Sequence, residues 1–348
     1  MEKKIIIIED NEIAFERLKK SVCQIGEVVV KYQELNDALA THTDFSNIKQ
    51  LLEAKFRQYG KAISLFIIDL KLSDYSKYDG INAIKDVRQA PNDEYWRTIV
   101  PIIAYTNFLD QETQAKDAGA NEVIKKSPNL EQTEESLKKK KSRYNELDNH
   151  LSTELLPKVR NYSDWYSTSI ERIDHTPSDL QQSAITFFRK NNNPYMKHAF
   201  VMTSFESSYM PAIKSALKNV QDKYFVTTHI ANKKTGETTN QLFNNVKTLM
   251  HCCDFGIGVF FDDKKKKNTI NPNLSLEVGY MLGIGKKERI CYLKDTSLEK
   301  LQTDLASELY VNYSNSRVKG TKEPTMKTAL ENWIIEKKSE LGIMEKPK

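Results

Sequence analysis

The stretch Asn271–Lys287 reads Asn-Pro-Asn-Leu-Ser-Leu-Glu-Val-Gly-Tyr-Met-Leu-Gly-Ile-Gly-Lys-Lys. A 3.6-residue period puts Leu274, Glu277, Val278 and Met281 on one helix face. A carboxylate on an apolar stripe is costly to bury without a partner or a task. The plain alternative is that Glu277 pairs with a lysine or arginine, or caps a neighbouring helix. A second group of candidates lies earlier in the chain: Glu9, Asp10, Asp69, Thr106 and Lys126. Acids, a hydroxyl and an ammonium are the set that phosphoryl transfer uses. The acids, with a backbone carbonyl, suit Mg²⁺, and a lysine neutralises charge developing on the phosphoryl group.

The flanking elements decide whether these groups can meet. Residues 3–8, 63–69, 99–105 and 122–125 read as short apolar strands, with helices at 12–25, 46–58, 80–89 and 110–118 between them. A second alternation follows, with strands at 198–203, 224–229, 255–261, 289–293 and 309–313 and helices at 209–220, 239–251, 273–284 and 327–340. Nearly all-apolar strands alternating with helices indicate parallel sheets covered on both faces. The fold class is therefore α/β: two doubly wound, mainly parallel-sheet domains, residues 1–128 and 197–345, joined by a helical connector over 129–196.

Ligands of such sheets meet the carboxyl ends of the strands. Glu9 and Asp10 follow the first strand, and Asp69, Thr106 and Lys126 close later ones. In the second domain Thr203, Ser204 and Glu206 follow the first strand. Asp262 and Asp263 follow the third, with Glu277 on the next helix. No Walker or dinucleotide glycine motif is present, and Gly279, Gly283 and Gly285 read as helix packing and a C-cap.

Composition sets the remaining bounds. The 348 residues suit about two domains. No run approaches the ~18 apolar residues of a membrane span, and Met1–Asp10 reads as a strand and not a signal peptide. Cys23, Cys252, Cys253 and Cys291 show neither metal nor disulfide spacing, which fits a reducing cytoplasm. The net charge of +5 is modest, and the lysine runs 138–141 and 264–267 read as solvated faces, not as a nucleic-acid surface.

Residues 1–128 resemble the receiver domains of two-component response regulators. The matching pieces are Ile-Glu-Asp-Asn at 8–11, Ile-Ile-Asp-Leu at 67–70, Asp79-Gly80, Val-Pro-Ile-Ile-Ala-Tyr-Thr at 100–106, Ala-Gly-Ala at 118–120 and Lys126. The resemblance implies Asp69 as phosphoacceptor, Glu9, Asp10 and Asp69 as Mg²⁺ ligands, and Thr106 and Lys126 as supports of the phosphoryl group. It also implies a histidine kinase or other phosphodonor as partner. Two positions depart from the family: Ser127 separates the lysine from Pro128, and Val123 stands where an aromatic switch residue is expected.

From Lys197 to about Ser314 the chain resembles TIR-like and nucleoside 2-deoxyribosyltransferase-like nucleotide-binding domains. The resemblance rests on Ala-Phe-Val-Met-Thr-Ser-Phe at 199–205, the strand from Asp254 to Phe261 and Asn-Pro-Asn-Leu-Ser-Leu-Glu-Val-Gly-Tyr at 271–280. It implies Glu277 as the carboxylate that cleaves an N-glycosidic bond in NAD⁺ or a related nucleotide. Thr203, Ser204, Phe205, Asp262 and Asn273 are implied as nucleotide contacts, and self-association as the working state. An antiphage or stress role follows from the same resemblance. Nucleotide sensing without turnover and nucleoside deoxyribosyl transfer are the alternatives.

Overall fold

The computed structural model describes residues 2–40, 46–72, 80–89, 91, 94–126, 149–204, 209–231, 239–261, 272–298, 310–314 and 323–347. It divides into two compact units: residues 1–171 with 188–194, and residues 172–187 with 195–348. Each is built on one five-stranded parallel sheet.

In the first unit the elements run β1 (Lys4–Ile8), α1 (Glu12–Val22), β2 (Glu27–Val28), α2 (Tyr32–Ala40), α3 (Ser46–Tyr59), β3 (Ile63–Ile68), α4 (Gly80–Arg88), β4 (Ile102–Thr106), α5 (Glu112–Ala118) and β5 (Glu122–Lys125). The sheet order is β2-β1-β3-β4-β5. Every residue of β1, β3 and β4 is buried, because helices cover both faces and only apolar runs suit that environment. β2 and α2 escape the sequence reading. A two-residue edge strand is too short to show any periodicity, and it adds to the sheet only through its pairing with Lys4 and Ile5.

The helix α6 (Leu156–Asp174), entered through the π-helical turn Leu151–Leu155, and α7 (Gln181–Lys190) come next. The unit boundary after Glu171 falls inside α6. Within the first unit, the Ser163 hydroxyl donates to Ser64 Oγ at 2.9 Å and Lys158 pairs with Glu122 at 2.8 Å.

The second unit contains β6 (Lys197–Met202), α8 (Met210–Lys223), β7 (Val226–Ile230), α9 (Thr239–Cys252), β8 (Phe255–Phe260), α10 (Pro272–Gly283), β9 (Ile290–Asp295), β10 (Val311–Tyr313) and α11 (Met326–Leu341). Its order, β10-β9-β8-β6-β7, repeats that of the first sheet: counted from each unit's first strand, both read 2-1-3-4-5. In that order the connections reverse direction between the first and third strands, opening a crevice at their carboxyl ends. α8 and α11 cover one face through Ile213, Leu217, Val220, Leu330, Trp333 and Ile334. Among the described residues, no helix is long and apolar enough to cross a membrane.

One close approach shapes the edge of the first sheet. Gly80 opens α4 against the segment after β3, and its N–H donates to Leu70 O at 3.0 Å. A Cβ at Gly80 would sit 1.9 Å from the Asp69 carbonyl oxygen, a backbone atom that cannot swing away. Gly80→Ala is therefore expected to destabilise the first unit by about 3 kcal/mol. Chemical denaturation of the variant against wild type measures this, and an unchanged midpoint would contradict the packing.

Candidate functional site

The edge of the first sheet gathers all five residues expected there. Glu9 follows β1, Asp69 follows β3, Thr106 ends β4 and Lys126 follows β5. Backbone hydrogen bonds align them: Asp69 N–H donates to Ile8 O and Lys126 N–H to Thr106 O, each at 2.9 Å. Lys126 Nζ lies 2.7 Å from Asp69 Oδ2 and 2.8 Å from Glu9 Oε2, and all four side chains are buried. Glu9 is held from behind, since its Oε1 accepts the Asn11 N–H at 3.2 Å while the Asn11 side chain caps α1 by accepting from Ala14 N–H at 3.0 Å. Asp10 is fixed through its carbonyl, which accepts the Tyr32 hydroxyl at 2.8 Å. Thr106 Oγ1 accepts the Phe108 N–H at 3.2 Å.

Charge at this edge does not balance. Burial pushes the Glu9 carboxyl up to about 8; Lys126 opposes the rise and Asp69 adds to it. Burial disfavours the Lys126 ammonium, but Glu9 and Asp69 more than offset that and hold it above its ordinary range. Glu9, Asp10 and Asp69 present oxygens that all lie within 4.8 Å of one another. The buried Glu9 Oε2 pairs with Lys126 at 2.8 Å. Oxygen-only donors, with one ammonium among three acids, fit a divalent cation. Val123 is partly exposed, whereas Tyr105, next to Thr106, is fully buried and stacks on His150 at 6.2 Å.

In the second unit, Thr203 and Ser204 follow β6, Thr203 buried and Ser204 half-buried. Phe205 and Asp262, with Glu206 and Asp263, lie outside the described residues. Asn273 is exposed in the first turn of α10. Glu277 is half-buried one turn further on, beside the buried stripe of Leu274, Val278 and Met281.

Two glycines of β8 face α10. A Cβ at Gly256 would lie 2.8 Å from Met281 Sδ, and one at Gly258 would lie 3.7 Å from Val278 Cγ2. The helix rests on this bare track, and its N-terminal turns carry Glu277 towards the carboxyl edge. Gly279 and Gly283, expected to pack, are exposed with no other group within 4 Å of a Cβ, so the packing glycines are Gly256 and Gly258 instead. Gly285 does end the helix, at φ +78°, and Lys286 N–H donates back to Met281 O at 3.0 Å.

Sequence reading misses the anchor at the far end of α10. Lys286 Nζ donates to Met250 O (2.6 Å), His251 O (2.9 Å) and Cys253 O (2.6 Å), tying α10 to the end of α9. Arg172 donates to Cys252 O at 2.8 Å and pairs with Asp254 at 2.9 Å. Cationic caps on the last carbonyls of a helix oppose its dipole.

No cation or donor faces the Glu277 carboxylate among the described residues, and burial alone raises it to about 7. The ion-pair alternative thus has no partner there. Two more polar groups at this edge went unread in the sequence: Asp295, which ends β9, and Tyr313, which ends β10, both buried.

Both units share one sheet order, and each gathers polar groups at the carboxyl edge of its sheet. Residues 198–315 match the family model described as CAP12/Pycsar effector protein, TIR domain, so the second unit carries a TIR domain. Solved structures similar to the N-terminal half are response regulators. They include the phosphorylated cyanobacterial phytochrome response regulator RcpA (17% identity, 48% of this chain, 94% of that chain, TM-score 0.29). The receiver domain from Rhodospirillum rubrum gives 21% identity over 47% of this chain and 93% of that one, TM-score 0.29. The response regulator domain of Thermotoga maritima CheB gives 14%, 47%, 98% and 0.30. No curated protein matches the chain. The chain thus joins a doubly wound α/β unit to a unit that carries a TIR domain.

A carboxyl group held near 7 instead of 4.5 makes folding pH-dependent. Because the folded value is raised, Glu277 costs nothing below about 4.5, and its cost grows as pH climbs to about 7 and is complete above it. Discounted for its partial exposure, that cost is about 2 kcal/mol. Glu277→Gln should therefore raise the melting temperature of the second unit at pH 8 and leave it unchanged at pH 4. Equal melting at both values would mean the carboxylate is solvated or paired.

Proposed function

We propose that this chain is a phosphorylation-regulated effector whose TIR domain hydrolyses the N-glycosidic bond of NAD⁺ or a related nucleotide with Glu277. The observation that carries this reading is the Glu277 carboxylate: half-buried, without a described partner, and held near 7 by burial alone. A carboxylate in such surroundings stabilises the positive charge of an oxocarbenium-like transition state better than one in water. As the bond from C1′ to the nicotinamide nitrogen breaks, its electron pair goes to the ring, which leaves neutral and needs no acid. Water then supplies the new hydroxyl at C1′ and releases a proton. Thr203, Ser204, Phe205, Asp262 and Asn273 contact the nucleotide.

In the receiver unit a histidine kinase or small phosphodonor supplies the phosphoryl group to Asp69. Glu9, Asp10 and Asp69 would hold Mg²⁺, whose charge would offset that of the phosphoryl oxygens. Lys126, already 2.7 Å from Asp69, pairs with a phosphoryl oxygen, and the Thr106 hydroxyl donates to another. The connector, residues 129–196, passes the change on by altering self-association.

Nicotinamide release from NAD⁺ by the purified chain, with and without acetyl phosphate and Mg²⁺, tests both halves. Glu277→Gln should lower the rate by about 10²–10³-fold; release that persists sinks the catalytic assignment. Asp69→Ala should erase the difference between rates with and without phosphodonor. Because Glu277 must be ionised, kcat/KM should fall about tenfold per pH unit below about 7. A flat profile down to pH 5 would exclude Glu277 as the titrating group.

A further inference from the structure

The end of α9 is capped by two cations at once. The final carbonyls of a helix have no partner within it, and here four in a row accept from side chains of other elements. Lys286 takes those of Met250, His251 and Cys253, at 2.6, 2.9 and 2.6 Å. Arg172 takes Cys252 O at 2.8 Å, and its second amino group pairs with Asp254 Oδ1 at 2.9 Å. Asp254 is itself fixed in the sheet. Its Oδ2 accepts the His198 N–H at 2.8 Å, and its own N–H donates to His198 O at 2.7 Å. The guanidinium fork thus clamps the end of α9 to β6, with charge-assisted bonds on both prongs.

From this end two links reach α10, the helix of Glu277. The first is Lys286, which the end of α10 holds in a Schellman closure. Lys286 N–H donates to Met281 O and Gly285 N–H to Leu282 O, each at 3.0 Å, with Gly285 left-handed at φ +78°. The second link is nearer the carboxylate. His251 Nε2 lies 2.9 Å from the Tyr280 hydroxyl, and the two rings meet edge to face at 5.7 Å and 78°. Tyr280 follows Glu277 by one helical turn, so the two occupy neighbouring positions on one flank of α10. On the other side of the cap, Arg172 stands in the last turn of α6, the helix inside which the first unit ends and the second begins.

We propose that Arg172 is a positioning residue for Glu277, the point at which the connector holds the helix that bears the carboxylate; this rests on the reading of Glu277 given above. The guanidinium orders the last turn of α9, and that turn fixes α10 through Tyr280 and Lys286. Without it Asp254 is left as a largely buried charge with no counter-charge from Arg172, and Cys252 O loses its donor. The end of α9 then loosens, and both anchors of α10 loosen with it. Glu277 has no described partner of its own, so the helix that carries it sets where its carboxylate meets the anomeric carbon. A displacement of about 1 Å at such a group costs on the order of 10²-fold in rate.

The test is hydrogen–deuterium exchange of the full chain, with NAD⁺ kinetics in parallel, for wild type, Arg172→Met, Tyr280→Phe, and Arg172→Met combined with Glu277→Gln. Arg172→Met should speed exchange about 10- to 100-fold in the last turns of α9 and in α10, the range for a lost hydrogen bond to a charged group. Exchange in α8 and α11 should keep its wild-type rate. Nicotinamide release should lose kcat with KM within about twofold, as expected when only the transition state is affected. Combined with Glu277→Gln, Arg172→Met should lower the residual rate no further, because it acts through that carboxylate. Tyr280→Phe deletes only a hydroxyl and should shift α10 exchange and kcat the same way by about 3- to 10-fold; if melting curves show Arg172→Met unfolded, this variant decides. The proposal is overturned if exchange in α10 stays at the wild-type rate, if it rises equally in α8 and α11, or if Arg172→Met costs as much with Glu277→Gln as without it. Failure of the cleavage reading has its own signature: release that is absent from wild type or persists in Glu277→Gln, while α10 exchange still answers to Arg172.

Discussion

Parallel strands all end on the same edge of their sheet, and this constraint organises both units. Groups far apart in sequence, such as Glu9, Asp69, Thr106 and Lys126, become neighbours because each follows or ends a strand of one sheet. The shared 2-1-3-4-5 order then parts the connecting segments between the first and third strands, so the edge is reachable there. The buried, largely apolar interiors of β1, β3, β4 and β8 do no chemistry themselves; they hold the ends in register.

The two edges solve opposite electrostatic problems. At the first, acids are concentrated and one buried lysine compensates for them incompletely, an arrangement that waits for further positive charge. At the second, a carboxylate stands with no described counter-charge, beside apolar neighbours that raise the energy of its ionised form. The first environment favours receiving an anionic group with a cation. The second favours meeting a cationic one.

Much of this was legible in the sequence because parallel strands buried on both faces are unbroken apolar runs, and the first polar residue after such a run is at the edge. Leu65–Ile68 followed by Asp69, and Ala199–Met202 followed by Thr203, show the pattern. β2 left no trace, since an edge strand of two residues lacks both length and apolar character. β4 begins at Ile102 and not Ile99, because Pro101 cannot donate to a ladder and the residues before it turn. Asp295 and Tyr313 were unreadable for a different reason. An acid after an apolar strand is ordinary, and only three dimensions reveal that its oxygen is enclosed with no hydrogen-bond partner among the described residues.

The bare track of Gly256 and Gly258 carries a consequence for how this domain can change over time. A methyl at Gly256 would fall 2.8 Å from Met281 Sδ, so the first neighbours to give way are methionine side-chain ends, one of them on the helix that carries Glu277. A substitution in the interior of β8 thus reaches Glu277 only through Met281, one turn along α10, without touching it.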